Sequence, residues 1–273
     1  MRVNHNIESA ELQFKQILEE YFMSVFDENT LFSHGLNHHR RVWNYARELI
    51  SIADDNSSVA EPSLPKRLII ASYLHDTGMS VDPGIIHGIY SRELCLGFFR
   101  NYDIDEAEYS DVLLAIENHD NKEYKNPAGG SDLLTLLSVA DDLDAYGYAG
   151  IYRYSEIYLK RGFSPSKIGY LILENAAKRF GNFKSKYESS GEFFARHKLR
   201  YELLDNFFSE YNAQIGTYKF GSGHPYGYPG VIEVFLDILN KNLDIKDLLN
   251  KPEAFSYDQI LSWYFKGLNN ELY

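Results

Sequence analysis

The sequence predicts an all-α protein, and three observations carry that expectation. Apolar residues recur every three or four positions along nearly the whole chain, no stretch alternates apolar with polar as a half-buried strand does, and the interruptions are rich in turn residues. Taken in order, the first helix spans 9–27. It opens at Ser9 as a cap and sets Leu12, Phe14, Ile17, Leu18 and Phe22 mostly on one stripe. Helical spacing continues over 38–54, 66–76, 87–101, 105–119, 131–146, 149–161, 165–180, 187–213, 230–241 and 256–268. Between these lie SSVAEPSLP (57–65), VDPG (81–84), NPAGGS (126–131), FSPS (163–166) and GSGHPYGYPG (221–230), where Gly, Pro, Asn, Asp and Ser favour turns. Gly162, Ser164 and Pro165 mark the best boundary, dividing the chain into 1–162 and 163–273. The second part is expected to pack on the first as one structural unit, because amphipathic helices need a partner.

Composition narrows the function. With 27 Lys+Arg against 39 Asp+Glu the net charge is −12, a poor basis for bulk nucleic-acid binding, which needs clustered cations on the phosphates. The N-terminal MRVNHNIESAELQF has no continuous apolar stretch, so no signal peptide is expected. No stretch approaches the ~20 apolar residues of a membrane span. A single cysteine, Cys95, cannot form an internal disulfide and fits a reducing compartment. The expectation is a soluble cytoplasmic protein whose oligomeric state stays open.

The nine histidines cluster: six of them lie between positions 34 and 119. His34, His38 and His39 stand at or before a helix start in HGLNHHRRVWNYA. A buried apolar run, Leu68 to Leu74, delivers His75-Asp76-Thr77-Gly78; His87 follows Pro83-Gly84, and His119 closes the next helix. A second apolar run, Leu133 to Ala140, ends in Asp141-Asp142-Leu143-Asp144. Of the two His-Asp pairs, 75–76 reads as buried and 119–120 as more solvated. Ionisable groups at the ends of buried helices must be satisfied, and a metal is one way. Imidazole with carboxylate, without thiolate, suits Mn, Fe, Co, Ni or Mg better than structural zinc. Each histidine taken singly is more often a surface or satisfied core residue. The order, His then His-Asp then Asp at the edges of apolar helices, is what points to a site.

These residues resemble the HD superfamily of metal-dependent phosphohydrolases, whose signature is H…HD…D on an all-helical bundle. The resemblance runs through HHRRVWNYA, YLHDTG and SVADDLDAYG, over roughly 34–147. It implies His38, His75, Asp76 and Asp141 as metal ligands. Some members add two histidines and a second ion, bridged by the HD aspartate, and His87 and His119 occupy those places in order; one ion or two stays open. DLDAYGYAGIYRYSEIYLKRG (142–162) is more loosely similar to a subgroup that includes nucleoside triphosphate pyrophosphohydrolases. Met79 stands where many signal-dinucleotide hydrolases of the superfamily carry Lys. Gly227-Tyr228-Pro229 lies well after Asp141 rather than before it, and reads as a turn.

The resemblance implies hydrolysis of a phosphoester or phosphoanhydride in a small phosphorylated metabolite, a nucleotide before others. Asp76 is then central to catalysis, His34 or Asp142 is a proton shuttle or orienting group, and Arg41, Lys122 and Arg153 are phosphate partners. Each of these cations reads equally well as a solvated charge. Two alternatives remain: a di-iron oxygenase of the same superfamily, which needs His87 and His119 as ligands, and a non-catalytic nucleotide sensor.

Overall fold

In a computed structural model, which describes residues 2–26, 31–55, 61–120, 132–221 and 223–272, the described residues form twelve α-helices, three short 3-10 turns and no strand. They gather into two compact units. The first holds Met1–Asp144 with Asn182–Ser190, and the second holds Ala145–Gly181 with Gly191–Tyr273. The division thus falls at 144/145, ahead of the break near 162 that the sequence suggests.

The first unit contains α1 (Arg2–Val25), α2 (Leu36–Asp55), α3 (Leu64–Leu74), α4 (His87–Asn101), α5 (Ser110–Asn118) and α6 (Leu133–Asp144). In α3, Leu68, Ile69, Ile70, Ala71, Tyr73 and Leu74 are all 0% exposed. Consecutive buried positions leave no face for solvent, and α1, α2, α5 and α6 all pack on this helix. The apolar run therefore makes α3 the core axis, and its C-terminal end, where the His-Asp pair sits, opens inside the unit.

Helix α1 corrects two readings. It begins at Arg2, which places Ser9 inside the helix rather than at its cap. Its buried stripe is Ile7, Ala10, Phe14, Leu18 and Tyr21, with Phe22 beside it, while Leu12 is 90% exposed. The buried positions step by three and four residues, and Leu12 falls off that series. Polar ties then fix α1 against its neighbours. Glu11 accepts from Trp43 Nε1 at 2.8 Å and Arg47 at 3.0 Å, and Glu19 accepts from Arg40 and from the Tyr73 hydroxyl.

The second unit contains α7 (Gly147–Lys160), α8 (Pro165–Tyr187) as far as Gly181, α9 (Gly191–Gln214), α10 (Gly227–Lys241), α11 (Ile245–Leu249) and α12 (Gln259–Leu272). Helix α7 packs on α9, α10 and α12 around Tyr152, Phe207, Phe235 and Tyr264. Its N-terminus is capped from a distance. Glu271 on α12 accepts from the Ala149 amide at 3.0 Å and from Arg200 Nε at 2.8 Å, placing a carboxylate at the positive end of the helix. Gly147, at φ +74, passes so close to Glu271 that a Cβ would lie 2.4 Å from Oε1. The Gly227-Tyr228-Pro229 segment, read from sequence as a turn, instead opens α10; Pro229 needs no hydrogen-bond acceptor in a first turn.

Candidate metal centre

Three of the candidate ligands use one local device. His75 and His119 sit just past the C-termini of α3 and α5, still in helical backbone conformation, where the last carbonyls lack amide partners. Each ring turns back so that Nδ1 donates to the carbonyl three residues earlier: Ser72 at 3.0 Å and Ile116 at 2.7 Å. His87, the first residue of α4, does the same to Gly84 at 2.7 Å. The VDPG turn makes that carbonyl available, since the Asp82 side chain folds back to accept the Gly84 amide at 2.6 Å. His38, in the first turn of α2, differs. Its Nδ1 meets a carboxylate oxygen of Asp144 at 2.8 Å.

With every Nδ1 occupied, the four Nε2 atoms face inward upon Asp76. Its Oδ2 lies 3.4 Å from His38 Nε2 and 3.3 Å from His75 Nε2, and Asp141 Oδ1 lies 3.7 and 3.8 Å from the same two atoms. Its Oδ1 lies 3.3 Å from His87 Nε2 and 3.0 Å from His119 Nε2. One carboxylate thus faces two donor sets, His38/His75/Asp141 on one side and His87/His119 on the other; each set, taken with Asp76, is a group able to hold an ion. His75 is 0% exposed, Asp76 2% and Asp141 8%. His119, expected to be the more solvated, is 7% exposed and belongs to the cluster.

The donor chemistry fits a metal. The Nε2 atoms of His38 and His75 are 3.3 Å apart, and those of His87 and His119 are 3.4 Å apart. Neutral rings that donate through Nδ1 bring two lone pairs face to face at Nε2, which requires a cation between them. An ion bonded to two such nitrogens at about 2.1 Å sets them roughly 3.0–3.4 Å apart. Without an ion, protons take that role. Burial alone would lower His75, but Asp76 and Asp141 outweigh it and hold it up to about 10. His87 is likewise raised, against its burial, by the hydrogen bond and charge of Asp76 with help from Asp120. Burial opposes ionisation of Asp76, yet the His75 charge and the hydrogen bonds from His119, His38 and His75 hold it well below the usual range.

The other expected residues have varied surroundings where they are described. His34 is 3% exposed, with Nδ1 2.8 Å from Ser33 Oγ and Nε2 3.9 Å from Asp76 Oδ2. Asp142 is half-buried, one residue and about 100° around α6 from Asp141. Arg41 forks onto Asp144, with Nε at 2.7 Å from Oδ1 and Nη2 at 3.0 Å from Oδ2. Arg153 lies on α7 in the second unit and is 7% exposed. Lys122 lies outside the described residues. Sequence reasoning passed over Asp144, although three residues after Asp141 is the position that shares its helix face. It also assigned no role to His39, which is buried behind His38 and His75, donates Nδ1 to the Ser72 carbonyl at 3.0 Å and leaves Nε2 without a partner.

A helical bundle holding His, His-Asp, His, His and Asp in this order defines an HD-type site. Residues 35–146 match the HD domain family, a match consistent with the metal-dependent phosphohydrolase superfamily. No curated protein and no solved structure matches the chain. Proteins of this superfamily are generally metal-dependent hydrolases. No helix among the described residues is long and apolar enough to cross a membrane.

Proposed function

We propose that this protein is a dinuclear metal-dependent phosphohydrolase acting on a small phosphorylated metabolite of the nucleotide class. The observation that carries the reading is the two-sided environment of Asp76, with Oδ2 toward His38, His75 and Asp141 and Oδ1 toward His87 and His119. Divalent ions such as Mn, Fe, Co, Ni or Mg, when bound there, supply a water of lowered pKa and an electrophilic contact for a phosphoryl oxygen. The chain's own groups do the rest. The Nδ1 contacts lock each imidazole with Nε2 inward, the buried apolar helix α3 keeps bulk water from Asp76, and Asp76 stays ionised. His34, its ring oriented by Ser33 and its Nε2 near Asp76, is placed to pass a proton at that nitrogen.

The test is a panel of phosphorylated metabolites, nucleotides among them, offered to Mn-loaded protein with metal quantified per chain. Phosphate or pyrophosphate release, two ions per chain and loss of both metal and turnover in Asp76→Ala are the expected results. Turnover retained by Asp76→Ala sinks the proposal. Iron-dependent oxygen consumption without phosphate release would turn the reading to the di-iron oxygenase, which the His87/His119 half also fits.

A further inference from the structure

The four inward histidines are not held alike. His75, His87 and His119 each place Nδ1 on a neutral carbonyl three residues back. The equivalent carbonyl for His38 belongs to Gly35 and already accepts the His38 amide at 2.9 Å. Its Nδ1 meets Asp144 instead, a carboxylate 0% exposed and more than one hundred residues away in sequence. A buried carboxylate needs a cation, and Arg41, one turn after His38 on the same helix, supplies it through two N–H donors. That fork takes Nε and one N–H of Nη2, while Nη1 is buried and has no partner.

We propose that Arg41 and Asp144 form a positioning pair for His38: Asp144 fixes its ring and raises its electron donation at Nε2, and Arg41 holds Asp144 in register. The inference rests on the metal reading above and refines it. A carboxylate behind a ligating imidazole strengthens that ligand more than a carbonyl does. The His38/His75/Asp141 half is therefore the tighter of the two, and Arg41 acts through His38 rather than on the substrate.

Co2+ alone is the probe, followed by calorimetric titration and by its visible absorption bands, which report ligand number and geometry. His119→Ala isolates the His38 half and His38→Ala isolates the other. In the His119→Ala background, adding Asp144→Asn is expected to weaken Co2+ by about 10- to 100-fold and to change the absorption bands. In the His38→Ala background the same change is expected to leave affinity within about 2-fold, as additivity for uncoupled sites requires. A structural role for Asp144 would weaken both halves together, and that result overturns the pair; so does an unchanged affinity in the His119→Ala background. Arg41→Gln provides the second variant if Asp144→Asn does not fold, with the same half-specific loss expected and the same contrary outcomes. Wild-type protein that takes up no Co2+ overturns the metal reading, and this pair with it. Uptake that Asp144→Asn leaves unchanged overturns the pair alone.

Discussion

His39 illustrates how much one side chain's surroundings decide. It is adjacent to His38 in sequence, yet its ring lies 4.5 Å from that of Phe22, tilted by 55°, and its Nε2 has no partner, so nothing there rewards a proton. Burial first, then the neighbouring His38 and His75, hold it well below the usual imidazole value of about 6.5. His39 is thus the neutral wedge that spaces two ligands, with its Nδ1 sharing the Ser72 carbonyl with His75. Its contribution to stability is present above the unfolded pKa and is lost as pH falls through the folded value. The expected observation is a His39 ring resonance in NMR that does not titrate at or above pH 6.5; a midpoint there or higher would show that the ring is solvated or paired. Residue by residue, the clustered histidines and aspartates were noticeable in sequence because each stands at the edge of a helix. Asp144 was not, because adjacency in sequence drew attention to Asp142, while a helix places the third residue on, not the next, on the same face.

At the scale of elements, the second donor set depends on how closely three segments approach. The 3-10 turn Thr77–Ser80, the head of α4 and the end of α5 meet through two glycines. A Cβ on Gly78 would lie 2.2 Å from the His87 carbonyl and 2.5 Å from the Ser91 amide, and one on Gly88 would lie 2.5 Å from the Glu117 carbonyl. All three obstacles are backbone, so no side-chain rearrangement relieves them. Gly78→Ala is expected to push the head of α4 away and cost about 1–3 kcal/mol, a fall in melting temperature of several degrees. Because α4 carries His87 and Asp76 precedes the turn, the ion of the His87/His119 half should be lost first, which metal counting on the purified variant checks. A variant with both ions and an unchanged melting temperature would show that the contact is not as tight as drawn. Helical spacing made most of these elements readable, including the VDPG turn that aims His87. The start of α1 and the short α11 were not, since residues 2–8 hold only two apolar residues, Val3 and Ile7, and five residues are too few to display a period.

For the molecule as a whole, protons and metal compete for the same nitrogens, and the net charge of −12 sets the background for that competition. In chelated protein the carboxylates hold protons on His75 and His87. His75 is held at about 10 in the folded state, against about 6.5 unfolded. Its stabilising contribution is therefore complete below about pH 6.5 and is lost as pH rises toward 10, and the raised His87 acts in the same direction. On the acid side the signs reverse, because His39 and Asp76 are both lowered and their contributions are lost as pH falls. A bound divalent ion replaces the protons between the paired imidazoles, and its affinity increases as they leave. Both effects widen the difference between loaded and chelated protein as pH rises, because binding to the folded state alone adds stability in proportion to the logarithm of affinity. Thermal melts with Mn2+ and with chelator should therefore show a larger gap at about pH 8.5 than at about pH 6.5, while the chelated form itself melts lower at the higher pH. A gap that is constant or narrows would mean that metal and protons do not occupy the same place. The acidic surface then gives inorganic phosphate little reason to approach the chelated protein, so phosphate should raise its melting temperature only once metal is bound.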